Sequence, residues 1–293
     1  LATMDYLRDQ GKHKAYDRMR DSLLFSPESP SQLRVLLLRS YIADVQRDST
    51  YTTQLTAAFD TLLSKPQQNT EVLIMKAAYQ SFSKQPQEAI CQTMRQVLDV
   101  EPGNQMALSE LLQYYAERND GKGVEDISRR GLNYHPEEIS YAYYLGMALA
   151  EQKKLTQAAE VMQQGLRVRT DDVHPHLVSN VFATLGDIYY QQGKQQEAYA
   201  AYDSALVYKD DNIMCLNNYA YYLSLNGEQL DRAEEMSYRT IRQEPENITY
   251  LDTYAWILFM KGDYAHARTY MDKVVNPQKT DDELLSDQAL LGN

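Results

Sequence analysis

A unit of about 34 residues recurs through most of this 293-residue chain, and each copy reads as a helical hairpin. The clearest copy is Phe182-x-x-Leu185-Gly186-x-x-Tyr189, followed by Ala198, Tyr202 and Ala205. The next is Leu216-x-x-Tyr219-Ala220-x-x-Leu223, with Ala233 and Pro245. A third is Leu251-x-x-Tyr254-Ala255-x-x-Leu258, with Ala267, Met271 and Val274. The alanines at 198, 233 and 267 mark steps of 35 and 34 residues. Within each helix the apolar residues fall three or four apart, so they share one face. Gly146, Gly186, Ala220 and Ala255 occupy one small slot, and Ala158, Ala198, Ala233 and Ala267 another. Larger side chains there would hold the two helix axes apart. Tyr115, Phe182, Tyr189 and Tyr202 fill the wider gaps. A single hairpin cannot cover its own apolar face, so it must stack on the next.

The same register reads backward. Ala142-x-x-Leu145-Gly146-x-x-Leu149 leads to Ala158 and Met162, and Leu108-x-x-Leu111-Leu112-x-x-Tyr115 leads to Val124. Pro66, Pro102, Pro136 and Pro245 keep the phase upstream and downstream, because proline stops the second helix of a unit. Further helices are predicted at Gln32–Arg47, Tyr51–Leu63, Val72–Phe82 and Gln87–Val100. Residues 1–30 form a partial N-terminal unit, with Met4–Asp9 and Lys14–Phe25 as its helices. Seven hairpins then follow, at about 31–68, 69–103, 104–137, 138–177, 178–211, 212–246 and 247–279. Residues 280–293 read as a C-terminal helical tail or the start of a truncated repeat. This tail has no polar cap, so the chain is expected to continue beyond Asn293 or to fold back on itself. Leu1, where an initiator methionine would stand, is expected of a trimmed chain that has lost any signal peptide or lipid anchor.

These slots resemble the tetratricopeptide repeat, over about residues 4–279 and most clearly from 104 onward, and the wording Leu251-Asp-Thr-Tyr-Ala-Trp-Ile257 resembles that of bacterial multi-repeat members. The resemblance implies an all-α fold: a right-handed superhelical α-solenoid of stacked antiparallel helix pairs. The Tyr and Ala slots match it better than the pentatricopeptide repeat, which reads RNA. One step departs from the pattern. Ala158 to Ala198 spans 40 residues, and the excess falls near Arg169–His176. A longer helix with a longer surface turn is the preferred reading, over a loop reaching across one edge.

The chain shows no chemistry of its own. It has no glycine-rich phosphate loop, no G-x-S-x-G turn and no His-Glu-x-x-His helix. His174, His176, Asp171 and Asp172 are read as a solvated turn, so no metal and no cofactor is expected. The paired acidic residues at 137–138, 210–211, 234–235 and 281–283 are read as helix starts, helix surface and turns. Cys91 and Cys215 lie more than three repeats apart and read as small buried hydrophobes. A net charge of -12 argues against nucleic acid, which needs clustered Lys and Arg. No apolar run is long enough to span a membrane.

The resemblance further implies that the first helix of each hairpin lines a concave face. By that phase the candidates are Tyr143, Met147, Asp187, Tyr190, Asn217, Tyr221, Asp252, Trp256 and Phe259, with Tyr79, Phe82, Ser109, Gln113 and Ala183 in the same stripe. Such a face is aromatic with Asn and Asp handles, and Asn217 and Asn218 suit the backbone of an extended peptide. Whether Trp256 and the tyrosines face the groove or pack against neighbouring repeats is left open by the pattern. Almost no Lys or Arg lies on this stripe, unlike repeats that clamp a C-terminal carboxylate. The expected partner is a protein or peptide segment, neutral or basic rather than acidic. The expected role is a non-catalytic interaction scaffold. The alternative is an accessory or regulatory region of a longer enzyme or signalling protein. The Tyr, Gln, Ser and Thr content leans toward the bacterial envelope or periplasm, with the cytoplasm as the alternative. The uncapped C-terminal end allows homo-oligomerisation by end-to-end stacking.

Overall fold

Amphipathic period, small slots and turn residues all point to paired helices, and the structure, a computed structural model, is built that way. It describes residues 2–65, 67 and 70–276. The phase marker Pro66 and the tail beyond 276 lie outside the described residues. Among these there are sixteen α-helices, one short 3-10 turn at Ser49–Tyr51, and no strand. The fold is an all-α superhelical repeat. Two compact units divide at His135 and Pro136.

The first unit holds α1 (Ala2–Asp9), α2 (His13–Phe25), α3 (Ser31–Arg47), α4 (Thr52–Leu63), α5 (Glu71–Phe82), α6 (Gln87–Val100), α7 (Gln105–Glu117) and α8 (Gly121–Tyr134). One core joins Met4, Tyr16 and Leu24 to Leu37, Tyr41, Phe59 and Tyr79. Arg20 is buried within it at 1% exposure. Its guanidinium lies 3.4 Å from the centre of the Tyr41 ring and pairs with Asp17 at 3.1 Å and Asp21 at 3.0 Å. A buried charge needs such partners to offset its lost hydration.

The second unit holds α9 (Ile139–Glu151), α10 (Leu155–Val168), α11 (Pro175–Gln191), α12 (Gln195–Tyr208), α13 (Ile213–Leu225), α14 (Leu230–Gln243), α15 (Ile248–Met260) and α16 (Tyr264–Val275). Each odd helix packs on the even helix that follows it. The odd helices also touch in succession, α9 with α11, α11 with α13 and α13 with α15. The small slots are where these helices close in. A Cβ on Gly186 would stand 2.6 Å from the Tyr202 ring, and one on Gly146 would stand 2.5 Å from Met162 Cε.

Local signals set the ends. Asn104, Asn212 and Asn247 cap α7, α13 and α15, their side chains accepting from the backbone N–H of Ala107, Cys215 and Thr249. Asp120 and Asp263 do the same for α8 and α16. Pro102, Pro136 and Pro245 follow the ends of α6, α8 and α14. The long step resolves into two parts. Helix α11 has 17 residues where α9, α13 and α15 have 13 each. The turn before it covers 169–174, where the corresponding turns cover 135–138, 209–212 and 244–247. One added helical turn and a slightly longer surface turn thus absorb the excess, with His174 as N-cap and Pro175 in the first turn.

Every hairpin turn except that between α3 and α4 uses a left-handed residue, and the turn between α13 and α14 uses two, Gly227 and Gln229. Glycine supplies it at 193, 227 and 262, but Lys153 stands at φ 62° and Asn119 at φ 53°. A non-glycine residue there carries a steric cost of about 1–2 kcal/mol. Lys153→Gly is therefore expected to stabilise the second unit by about 0.5–1 kcal/mol, the gain being trimmed by the freer unfolded chain. The urea midpoint reads this directly, and an unchanged or lower midpoint would show that the lysine side chain makes up for its backbone.

Candidate functional site

The side chains that converge most densely lie on α11, α12 and α13, around Asp187. Asp187 projects from α11 beside Gly186, whose missing side chain lets Tyr202 of α12 pack under the helix. The Tyr202 hydroxyl donates to Asp187 Oδ1. Asn218 of α13 donates through Nδ2 to both Asp187 oxygens, at 3.1 and 3.2 Å. Asn217 donates in turn to Asn218 Oδ1 at 3.3 Å. Tyr190 and Tyr222 stack with centres 3.9 Å apart, and Tyr202 and Tyr219 with centres 5.0 Å apart. Asn226 donates to the Tyr190 and Tyr199 hydroxyls at 3.3 and 3.0 Å. One carboxylate, three amides and five tyrosines thus form a single polar–aromatic network.

Burial controls the electrostatics. Desolvation raises the Asp187 carboxyl to about 6, and the hydrogen bonds from Tyr202 and Asn218 hold it from rising further. Desolvation also raises Tyr222, to about 12. Burial followed by the Asp187 charge keeps Tyr202 protonated throughout the accessible pH range. The two cysteines are buried and free, with thiols pushed up by burial to about 11 for Cys91 and about 12 for Cys215. Neither is poised as a nucleophile.

The stripe residues take different stations. Tyr221 and Phe259 are exposed at 39% and 51%, and Asp252 is exposed as well. Tyr143, Met147, Asp187, Tyr190 and Trp256 are half-buried. Tyr143 is hydrogen-bonded to Thr184, which ties α9 to α11. Trp256 stacks on Phe259 at 5.8 Å, and Phe259 meets Tyr264 at 5.3 Å. The Trp256 indole Nε1 is buried with no hydrogen-bond partner. Asn217 is only 6% exposed and supports the network from below the surface, as does the fully buried Ala183. In the first unit Phe82, Ser109 and Gln113 are exposed, whereas Tyr79 is buried against Phe59 at 6.1 Å. Sequence periodicity placed Tyr202 in the core but missed its bond to Asp187. The signal was a hydroxyl-bearing ring opposite a small slot that adjoins a carboxylate.

The lining is nearly free of positive charge. Helices α9, α13 and α15 contain no Lys, Arg or His, and α11 contains only His176. Among the described residues no group of three His, Cys, Asp or Glu gathers to hold a metal, and no helix is long and apolar enough to cross a membrane. His174 Nδ1 instead accepts from the backbone N–H of His176. A separate open cavity of about 650 Å³ lies toward α10 and α12, lined by Gln163, Phe182, Tyr189 and Ala200 among others.

No protein-family model matches the chain, and no curated protein matches it. Solved structures do. The type IV pilus biogenesis factor PilW superposes with a TM-score of 0.58 at 15% identity, over 74% of this chain and 97% of that one. PilF of Pseudomonas aeruginosa gives 0.56 at 17%, over 75% and 97%. A tetratricopeptide repeat protein of Parabacteroides merdae gives 0.55 at 16%, over 73% and 82%. The fold of this chain is thus that of the tetratricopeptide repeat proteins, as the repeat slots implied.

Proposed function

We propose that this chain is a non-catalytic interaction scaffold that takes a polypeptide segment along the first-helix face of its second unit. The observation that carries the reading is the make-up of that face. Four successive first helices present exposed and half-exposed aromatic rings with Asn and Asp between them, and no Lys or Arg. Such rings give large contact area with a polar tip, the composition enriched where proteins bind. Packing supports the same side. Successive first helices touch one another, while the second helices make no comparable contact among the described residues. Helices crowd together on the inner side of a bend, so this face offers a groove. A neutral or basic segment suits the missing positive charge.

The test is a pull-down from cells of the source organism, read by mass spectrometry, with this chain beside its Tyr221→Ala/Phe259→Ala variant. Both side chains are exposed, so the variant is expected to keep its helicity and its urea midpoint. A protein enriched by the parent and lost by the variant supports the reading. Equal enrichment by both moves the site elsewhere, to the cavity beside Phe182 and Tyr189 for instance. Absence of any specific partner turns the reading toward an accessory region of a longer enzyme or signalling protein.

A further inference from the structure

The first-helix face of the second unit carries a half-buried charge, Asp187, that the fold leaves without a counterion. Asp187 accepts hydrogen bonds from Tyr202 and Asn218, and both donors are neutral. None of the ion pairs among the described residues includes it. Burial, and after it the Asp187 charge, raises Tyr143, Tyr202, Cys215 and Tyr222. All four are acids that burial keeps protonated, so none can supply a positive charge. The one histidine on the neighbouring first helices, His176, lies in the first turn of α11, far along the helix from Asp187.

A carboxylate taken out of water without a counterion is costly, and proteins normally pair it. Here the surrounding groups orient the carboxylate and do not neutralise it. A second observation points the same way. Asn217 neighbours Asn218 in the same network, it is more than nine-tenths buried, and its Oδ1 has no hydrogen-bond partner. The network therefore holds a half-buried carboxylate and an unsatisfied amide oxygen, both acceptors. Around them stand Tyr143 and the stacked pair Tyr190 and Tyr222. Acceptors ringed by aromatic faces suit an ammonium or guanidinium group, which brings only donors and is attracted to the ring faces.

We infer that Asp187, with Asn217 and the rings of Tyr143, Tyr190 and Tyr222, receives a lysine or arginine side chain of the bound polypeptide. This rests on the groove reading above and narrows it, from a neutral or basic segment to one with a required cation. The cation supplies the missing counterion, so binding favours the ionised carboxylate and weakens as the pH falls through about 6. The stripe's other charged residue at the same face, Asp252, is exposed and lies two first helices further on, in α15, so it adds to the general attraction only.

Random peptides displayed on phage and panned against the full chain provide the probe. Enriched sequences are synthesised and titrated by calorimetry against the parent, Asp187→Asn and Tyr221→Ala, each checked for native helicity. The expected result is a Lys or Arg at one fixed place in the enriched peptides. Replacing that residue by norleucine weakens binding to the parent about tenfold or more, and does nothing further on Asp187→Asn. The norleucine comparison leaves the protein untouched, so it decides even if Asp187→Asn folds poorly. Peptides that need Tyr221 but bind without a basic residue, and bind Asp187→Asn equally, overturn this inference and leave the scaffold reading standing. Peptides indifferent to both substitutions, or no enrichment at all, count against both.

Discussion

Asp187→Asn is expected to make the protein more stable at neutral pH, by about 2–3 kcal/mol, because a carboxyl raised some two units from its unfolded value is destabilised in its ionised form by about that much. The native state holds the proton up to about pH 6, whereas the unfolded chain releases it near the ordinary carboxyl value of 3.8. Between those limits the native state binds more protons, so stability falls as the pH rises, and above about 6 the cost is constant. Other carboxylates act in the opposite sense. Hydrogen bonds to Lys261 lower Asp231, and those to His266 lower Asp263. The informative quantity is therefore the difference between parent and variant, measured by urea unfolding across the pH range. That difference is expected to vanish in acid and to reach its full value above about pH 6. A variant that is less stable than the parent at neutral pH would show that the charge is needed to hold Tyr202 and Asn218, and that Asp187 is a structural residue. Stability given up at one position of a binding face is a familiar sign of function.

Gly186→Val is expected to cost about 3 kcal/mol, the upper end of the loss typical of overpacking a filled interior. The first added carbon would stand 2.6 Å from the Tyr202 ring. That ring has nowhere to go. It is fully buried, stacked at 5.0 Å on Tyr219 and held at its hydroxyl by Asp187. The damage should appear both as a lower urea midpoint and as loss of the Tyr202–Asp187 bond, read as a shift in the Asp187 titration by carboxyl NMR. An unchanged midpoint would mean that α11 and α12 can separate freely, against the close packing that the small slot requires.

The residues that made the fold legible are those whose role is local. Gly146, Gly186 and the alanines at 158, 198, 233 and 267 mark helix contacts by size alone, and the contact distances at Gly146 and Gly186 give the reason. Asn104, Asn212 and Asn247 also carry a readable cap signal, an amide just ahead of each apolar helix. The 40-residue step was legible as a longer helix with a longer surface turn, but its split into four helical and two turn residues was not, since nothing in Pro175–Ser179 distinguishes helix from turn by period. The Asp187 network was legible only in outline. Asp187, Tyr190 and Asn217 share a stripe, yet the reach of Tyr202 from the second helix depends on how closely the hairpin closes. The division at His135 and Pro136 had no marker beyond a proline of the kind that also follows α6 and α14. Arg20 was hidden for a related reason. A charged residue one turn from Tyr16 reads as surface until the fold brings Tyr41, Asp17 and Asp44 around it.

The proposed function puts a polypeptide on the first-helix face of the second unit. Photo-crosslinking in cells of the source organism tests it most directly, with benzoylphenylalanine placed at Tyr221 of α13 in one strain and at Val207 of α12 in another. Both positions are exposed, at 39% and 84%, but they lie on first and second helices respectively. A discrete protein adduct at Tyr221 and none at Val207 is the predicted result. An adduct at Val207 alone, or the same adducts at both, would contradict the account.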